Sequence, residues 1–198
     1  MNKRQNLLDE IKKNMPGRRW NHTIGVMHVA EELADIYGAD KEAAFIAALF
    51  HDCAKHQNHD KLINEAIRYG MKLNDDMIHC PDLIHGPLGA IIANVDYGIN
   101  DKEILSAIKN HTTGKVGMNL LDQIIFVADF IEPGRELFNI EYYRKLAYSN
   151  ISMAVLEILN NTIKYLIDSK KYIGSDTLLC RNYFLLICCD KMARGADK

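Results

Sequence analysis

The sequence predicts an all-α fold, a helical bundle built around one central buried helix. Apolar residues recur at three- and four-residue intervals over most of the chain. One run, Ala43-Ala44-Phe45-Ile46-Ala47-Ala48-Leu49-Phe50, is apolar nearly all round, as a helix is when other elements cover every side of it. No hairpin, internal repeat or low-complexity tract interrupts the pattern. The 198 residues suit one domain over 1–198, with 1–16 an N-terminal helix and 172–198 a C-terminal extension.

Residues 3–15 read as a short amphipathic helix stopped by Pro16-Gly17. A second helix covers 18–37, with Val26, Val29, Ala30, Leu33 and Ile36 as its apolar stripe and Gly38 as its C-terminal cap. Asp40 is placed to cap the central helix, which ends near His51-Asp52. Residues 54–86 are more polar and contain Gly70, Pro81 and Gly86, which predicts a short helix near 60–69 and then a loop. Pro87 suits the first turn of a helix running to Tyr97. Asp101 heads a helix over 102–110, and Asn119 heads one over 120–131 that Pro133-Gly134 ends. Residues 141–168 read as one long helix or two, and from 172 onward Tyr183-Phe184-Leu185-Leu186-Ile187 fits helix or strand.

A net charge of −2 argues against binding nucleic acid or an anionic membrane by bulk electrostatics. No apolar stretch approaches the roughly 20 residues a membrane span needs. The basic N-terminus turns acidic at Asp9-Glu10 without a secretory apolar segment, and the five cysteines form no CxxC pair. A cytoplasmic location is expected, with Cys188-Cys189 as small core residues.

The chemistry starts at His51-Asp52, a histidine and a carboxylate at the end of the most apolar run. A buried carboxylate needs a cation or a proton, and a metal ion is one such cation. Asp129 repeats the situation after Ile124-Ile125-Phe126-Val127-Ala128, with Arg135 as its non-metal alternative partner. His22 shares a helical face with Val26, Val29 and Leu33 and so points inward. His85 and His111 fall near the ends of two further predicted helices. Together these make a first shell for one or two cations. His28, His56, His59 and His79 read as ordinary surface or hydrogen-bonded histidines. Neighbouring helical residues point about 100° apart, so His51 and Asp52 can share one ion only near a helix end.

His22…His51-Asp52…Asp129 resembles the H…HD…D pattern of the HD-domain metal-dependent phosphohydrolases, and His85 and His111 extend it to the version with a second metal. Arg19-Trp20-Asn21-His22-Thr23-Ile24-Gly25-Val26, His51-Asp52-Cys53-Ala54-Lys55 and Ile84-His85-Gly86-Pro87 resemble segments of the YqeK-like branch, the bacterial symmetrical bis(5'-nucleosyl)-tetraphosphatases. Ala128-Asp129-Phe130-Ile131-Glu132-Pro133-Gly134-Arg135 resembles its A-D-x-I-E-P-x-R segment, the most specific of the four. Thr177-Leu178-Leu179-Cys180-Arg181-Asn182 resembles its T-x-x-A-R-N ending, with Cys180 where alanine is usual. The similarity runs from about residue 10 to 187.

The resemblance implies an HD helical fold, an iron-containing or other dinuclear metal site, and hydrolysis of diadenosine tetraphosphate to two ADP by metal-activated water. Carried over by motif, His22, His51, Asp52 and Asp129 would be metal ligands, with Asp52 able to bridge two ions, and His85 and His111 would complete a second site or touch the phosphates. Asp52, His85 and His111 are the catalytic candidates, and Arg19, Lys55 and Arg135 would line the phosphate path. Arginine's planar fork and lysine's point charge both suit phosphate. Three other functions use the same ligand types: an HD-type nucleotidase or deoxynucleoside triphosphate phosphohydrolase, a di-iron oxygenase, and a non-catalytic nucleotide sensor. A homodimer is open, since the apolar residues of 151–167 could pack within the domain or across two copies.

Overall fold

Short polar side chains set where the helices start. Asp40, Asn58, Asn74, Asp101, Asn119 and Asn150 each accept a hydrogen bond from a backbone N–H in the first turn of the helix that follows. The computed structural model describes residues 3–15 and 17–195, so Pro16, the expected helix stop, lies outside the described residues, as do Met1, Asn2 and 196–198. Among the described residues there are eleven α-helices and no strand: α1 (Lys3–Lys13), α2 (Gly17–Tyr37), α3 (Lys41–Phe50), α4 (His59–Arg68), α5 (Asp75–His79), α6 (His85–Val95), α7 (Lys102–Asn110), α8 (Leu120–Ile131), α9 (Ile140–Ser149), α10 (Ile151–Asp168) and α11 (Ser175–Gly195). A short 3-10 turn, Pro81–Ile84, leads into α6.

The central helix is α3. It packs against α2, α6, α7 and α8, and Phe45, Leu49 and Phe50 are fully buried. Burial of each such side chain stabilises the fold by about 1.5–3 kcal/mol. One large core cluster joins α2, α3, α7, α8 and α10, and a smaller one under α4 gathers Ala54, Leu62, Ala66, Ile84 and Leu88.

Several elements differ from the sequence expectation. The stretch read as a loop after residue 70 contains α5 and the 3-10 turn, both too short to show a helical period. Pro87 does fall in the first turn of α6, which begins two residues earlier at His85. Residues 141–168 are two helices, broken where Asn150 turns extended and caps α10. The C-terminal stretch is helical, and Cys180, Phe184 and Cys188 enter the main core from one face of α11. Cys189 is exposed, because the next residue on a helix turns about 100° away. Ile36 is likewise exposed, and Ala34 takes the inward place on α2. No described helix is long and apolar enough to cross a membrane.

Candidate metal centre

The six expected ligand residues come from five helices, most of them from helix ends. His22 lies in the second turn of α2, His51 directly follows α3, and Asp52 sits in the turn after it. That turn answers the spacing problem of the dyad, since the chain has left the helix at Asp52. His85 is the first residue of α6, His111 directly follows α7, and Asp129 lies in the last turn of α8. Gly86 lets α6 approach α7 closely: a Cβ there would stand 2.6 Å from the Lys109 carbonyl oxygen. This brings His85 beside His111.

Every one of the four rings is held from outside through Nδ1. His51 Nδ1 donates to the Ala48 carbonyl at 2.6 Å, His111 Nδ1 to the Ile108 carbonyl at 2.8 Å, and His85 Nδ1 to the Asp82 carbonyl. A carbonyl only accepts, so these three rings carry their hydrogen on Nδ1 and turn the bare Nε2 lone pair inward. His22 Nδ1 faces the Glu132 carboxylate at 3.1 Å. The inward nitrogens converge. His22 and His51 Nε2 are 3.2 Å apart, and His85 and His111 Nε2 are 3.0 Å apart. Asp52 Oδ1 lies 3.3 Å from His85 Nε2 and 3.6 Å from His111 Nε2, while its Oδ2 lies 3.8 Å from His51 Nε2. Asp129 Oδ1 lies 3.0 Å from His22 Nε2.

Burial and charge set the protonation of this cluster. Burial pushes the His51 imidazole down to about 4, against the opposing pull of the Asp52 carboxylate. Burial, helped by His111, pushes His85 down to about 3. Burial would raise Asp52, but His51, His111 and Lys55 outweigh it and hold the carboxyl well below the usual range. Asp129 is lowered in the same way: burial opposes, while His22, His51 and Arg135 prevail. For His22 burial lowers the value, yet its bonds to Asp129 and Glu132 win and raise it.

At neutral pH His51 and His85 are therefore neutral and Asp52 is ionised. Lone pairs and carboxylate oxygens face one another, an arrangement of acceptors that a cation relieves. Two overlapping triads have donor atoms within 4.8 Å of one another: His22, His51 and Asp129, and His51, Asp52 and His111. Imidazole nitrogens mixed with carboxylates suit a borderline divalent transition metal, and outer partners on each Nδ1 are what ligating histidines require.

The expected phosphate-binding cations divide. Lys55 Nζ reaches both Asp52 oxygens, at 3.1 and 3.0 Å, with its side chain 44% exposed. Arg135 donates to Asp129 Oδ1 at 2.7 Å and to the Asp129 carbonyl at 3.0 Å, so it is the carboxylate partner that the sequence offered as the alternative to a metal. Arg19, half-buried one turn before His22, has no hydrogen bond or ion pair with the cluster among the described residues. His56 pairs with Glu65, and His59 with Asp82, outside the centre. Trp20, Phe130 and Tyr143 pack against the core as expected of aromatics, whereas Tyr142 is exposed.

Three contributors were not singled out from sequence. Glu132 is buried and holds His22. A carboxylate three residues after Asp129 was the available signal. Thr112 Oγ1 lies 3.1 Å from Nε2 of both His85 and His111. Arg144, from α9, donates to the carbonyls of Ile131 and Glu132, both at 3.0 Å. Nothing in the sequence near Arg144 marks it.

A family model described as HD domain matches residues 19–134. The chain is 39% identical over 179 residues to a Halalkalibacterium halodurans protein named bis(5'-nucleosyl)-tetraphosphatase, symmetrical, covering 90% of this chain and 95% of that one. A Bacillus subtilis protein of the same name is 37% identical, covering 92% and 97%. A crystal structure from Clostridium acetobutylicum, described as a predicted HD superfamily hydrolase involved in NAD metabolism, superposes with a TM-score of 0.88 at 40% identity, covering 93% of this chain and 98% of that one.

Proposed function

Because this chain belongs to the HD-domain family, we propose that it is a metal-dependent hydrolase that cleaves a dinucleoside tetraphosphate symmetrically, taking diadenosine tetraphosphate to two ADP. The observation that carries the metal dependence is the inward convergence of four Nδ1-anchored imidazoles on two carboxylates. The substrate comes from the relatives named as symmetrical tetraphosphatases at 35–39% identity over most of the chain.

His22, His51 and Asp129 would hold one divalent cation, and Asp52, His85 and His111 a second, since the single inward lone pair of His51 serves one ion. Iron is the proposed metal and the dinuclear state the proposed occupancy. A bound divalent cation lowers the pKa of a water and neutralises phosphoryl charge. The chain's own residues do the rest. Asp52 stays ionised at neutral pH and turns one oxygen to each side, Oδ1 toward His85 and His111 and Oδ2 toward His51. Lys55 and Arg135 hold their charge at the rim, 44% and 38% exposed, where a tetraphosphate arrives. Each binds its carboxylate with part of its donor set, and Arg135 keeps Nη1 for a phosphoryl oxygen. Arg19, one turn before His22 on α2, is the third proposed phosphate contact. In-line displacement at a central phosphorus needs positioning and charge stabilisation above all, which these cations supply. His85 and His111 either complete the second metal set or contact the phosphates, and Thr112 Oγ1 stands within hydrogen-bond reach of both rings.

We place the reaction in the cytoplasm. A homodimer is the proposed assembly, with exposed Ile167 on α10 and Leu179 and Leu186 on α11 as its candidate apolar contacts. Purified protein should contain a transition metal by elemental analysis and yield ADP as the sole nucleotide product of diadenosine tetraphosphate. AMP with ATP as products, or full activity in metal-free protein, refutes the proposal.

A further inference from the structure

Glu132 is a buried carboxylate whose ion pair among the described residues is a long one, Arg135 Nε standing 3.9 Å from Oε1. Such a group costs several kcal/mol to desolvate unless hydrogen bonds hold it. Here Oε1 accepts from His22 Nδ1 at 3.1 Å and Oε2 accepts from the Gly134 N–H at 2.6 Å. The carboxylate rests where α8 ends against α2, at Gly25, one turn beyond His22. A Cβ at Gly25 would meet Glu132 Oε2 at 2.6 Å, too close for any real contact. From the other side Arg144 fixes the carbonyls of Ile131 and Glu132. Backbone, notch and brace thus converge on one carboxylate, and that carboxylate touches one ring.

We propose that Glu132 is a positioning residue for the metal centre, keeping the His22 hydrogen on Nδ1 and its Nε2 toward Asp129 and His51, and that Gly25 is the notch that seats it. The idea rests on the metal-dependent reading above. The other three rings are oriented by backbone carbonyls of their own or the preceding turn. His22, in the interior of α2, has its nearby carbonyls committed to the helix, so its outer partner comes from another element. Both carboxylate oxygens accept from N–H groups, so an amide of the same shape satisfies only one of them.

The test uses cobalt(II) titration of full-length apoprotein by visible absorption, with thermal midpoints alongside. Glu132→Gln and Glu132→Ala should weaken cobalt binding about 10- to 100-fold, as loss of an outer partner of a metal-bound histidine does. The exposed Glu136→Gln serves as control. Gly25→Ala should weaken binding with Glu132 still present, and should add nothing in the Glu132→Ala background, where the clash is gone. The His22 ring nitrogens, read by NMR in alkaline apoprotein, should show hydrogen on Nδ1 in the parent and a mixture in Glu132→Ala. Parental cobalt affinity in both Glu132 variants, an unchanged ring signature, or full additivity of the Gly25 and Glu132 effects overturns the proposal. A parent chain that binds no cobalt and releases no nucleoside diphosphate overturns the metal-dependent reading instead.

Discussion

Acidification of the metal-free protein probes the centre most directly, because two buried imidazoles are held far from their ordinary value. His51 is at about 4 and His85 at about 3 in the fold, against 6.5 for an ordinary histidine. The unfolded chain therefore binds more protons than the fold once pH drops below 6.5, and stability is lost as pH falls. Each ring contributes about 1.4 kcal/mol per pH unit within its window. Allowing for partial titration near 6.5, the two together remove roughly 3 kcal/mol between pH 6.5 and pH 5. That is a large share of the 5–15 kcal/mol typical of a folded domain. The opposing groups act outside this window. His22 is raised, so its contribution is complete below 6.5 and is lost only as pH climbs through its folded value. Asp52 and Asp129 are lowered, so theirs is complete above 3.8 and fades only in stronger acid. Urea unfolding of chelator-treated protein at a series of pH values gives the slope, and His85→Gln should halve it. Stability that is flat or rising from pH 6.5 to 5, or a His85→Gln protein with the parental slope, refutes the reasoning.

Asp52→Asn should reduce hydrolysis by more than the roughly 100-fold limit seen for loss of an outer partner, with metal content falling in parallel by elemental analysis. Chelation should abolish hydrolysis and lower the unfolding midpoint; a cation present at a hundred times its Kd contributes about 2.7 kcal/mol, and readdition of the ion should restore both. Gly86→Ala should cost about 1–3 kcal/mol by urea unfolding, because its Cβ meets a backbone oxygen that cannot swing aside, and it should lower activity by separating His85 from His111.

Much of the fold was legible because helix signals are local. Asp40, Asp101 and Asn119 cap the helices expected of them, and Gly38 follows α2 with a positive φ. The misses came where local signals are weak or turn on what lies alongside. A five-residue helix such as α5 spans too little chain to show a period. Ile36 lies on the expected stripe yet faces solvent, because Ala34 sits nearer the axis of contact. Tyr183 to Ile187 suited either class until packing of α11 on α10 settled it.

The sequence by itself determined most of the long helices and the His/Asp motif, because caps and periodicity act within a few residues and a carboxylate at the end of an apolar run is costly wherever it lies. Only the tertiary structure decided which atoms face inward. The tautomers of His51, His85 and His111 follow from carbonyls that the turns present, and that of His22 from a carboxylate 110 positions away in the chain. The 3.0 Å approach of His85 to His111 depends on how closely α6 and α7 pack at Gly86. The pairing of Arg135 with Asp129, offered by sequence as the alternative to a metal, stands beside the convergent histidines, with Oδ1 of that carboxylate accepting from Arg135 Nη2 at 2.7 Å and lying 3.0 Å from His22 Nε2.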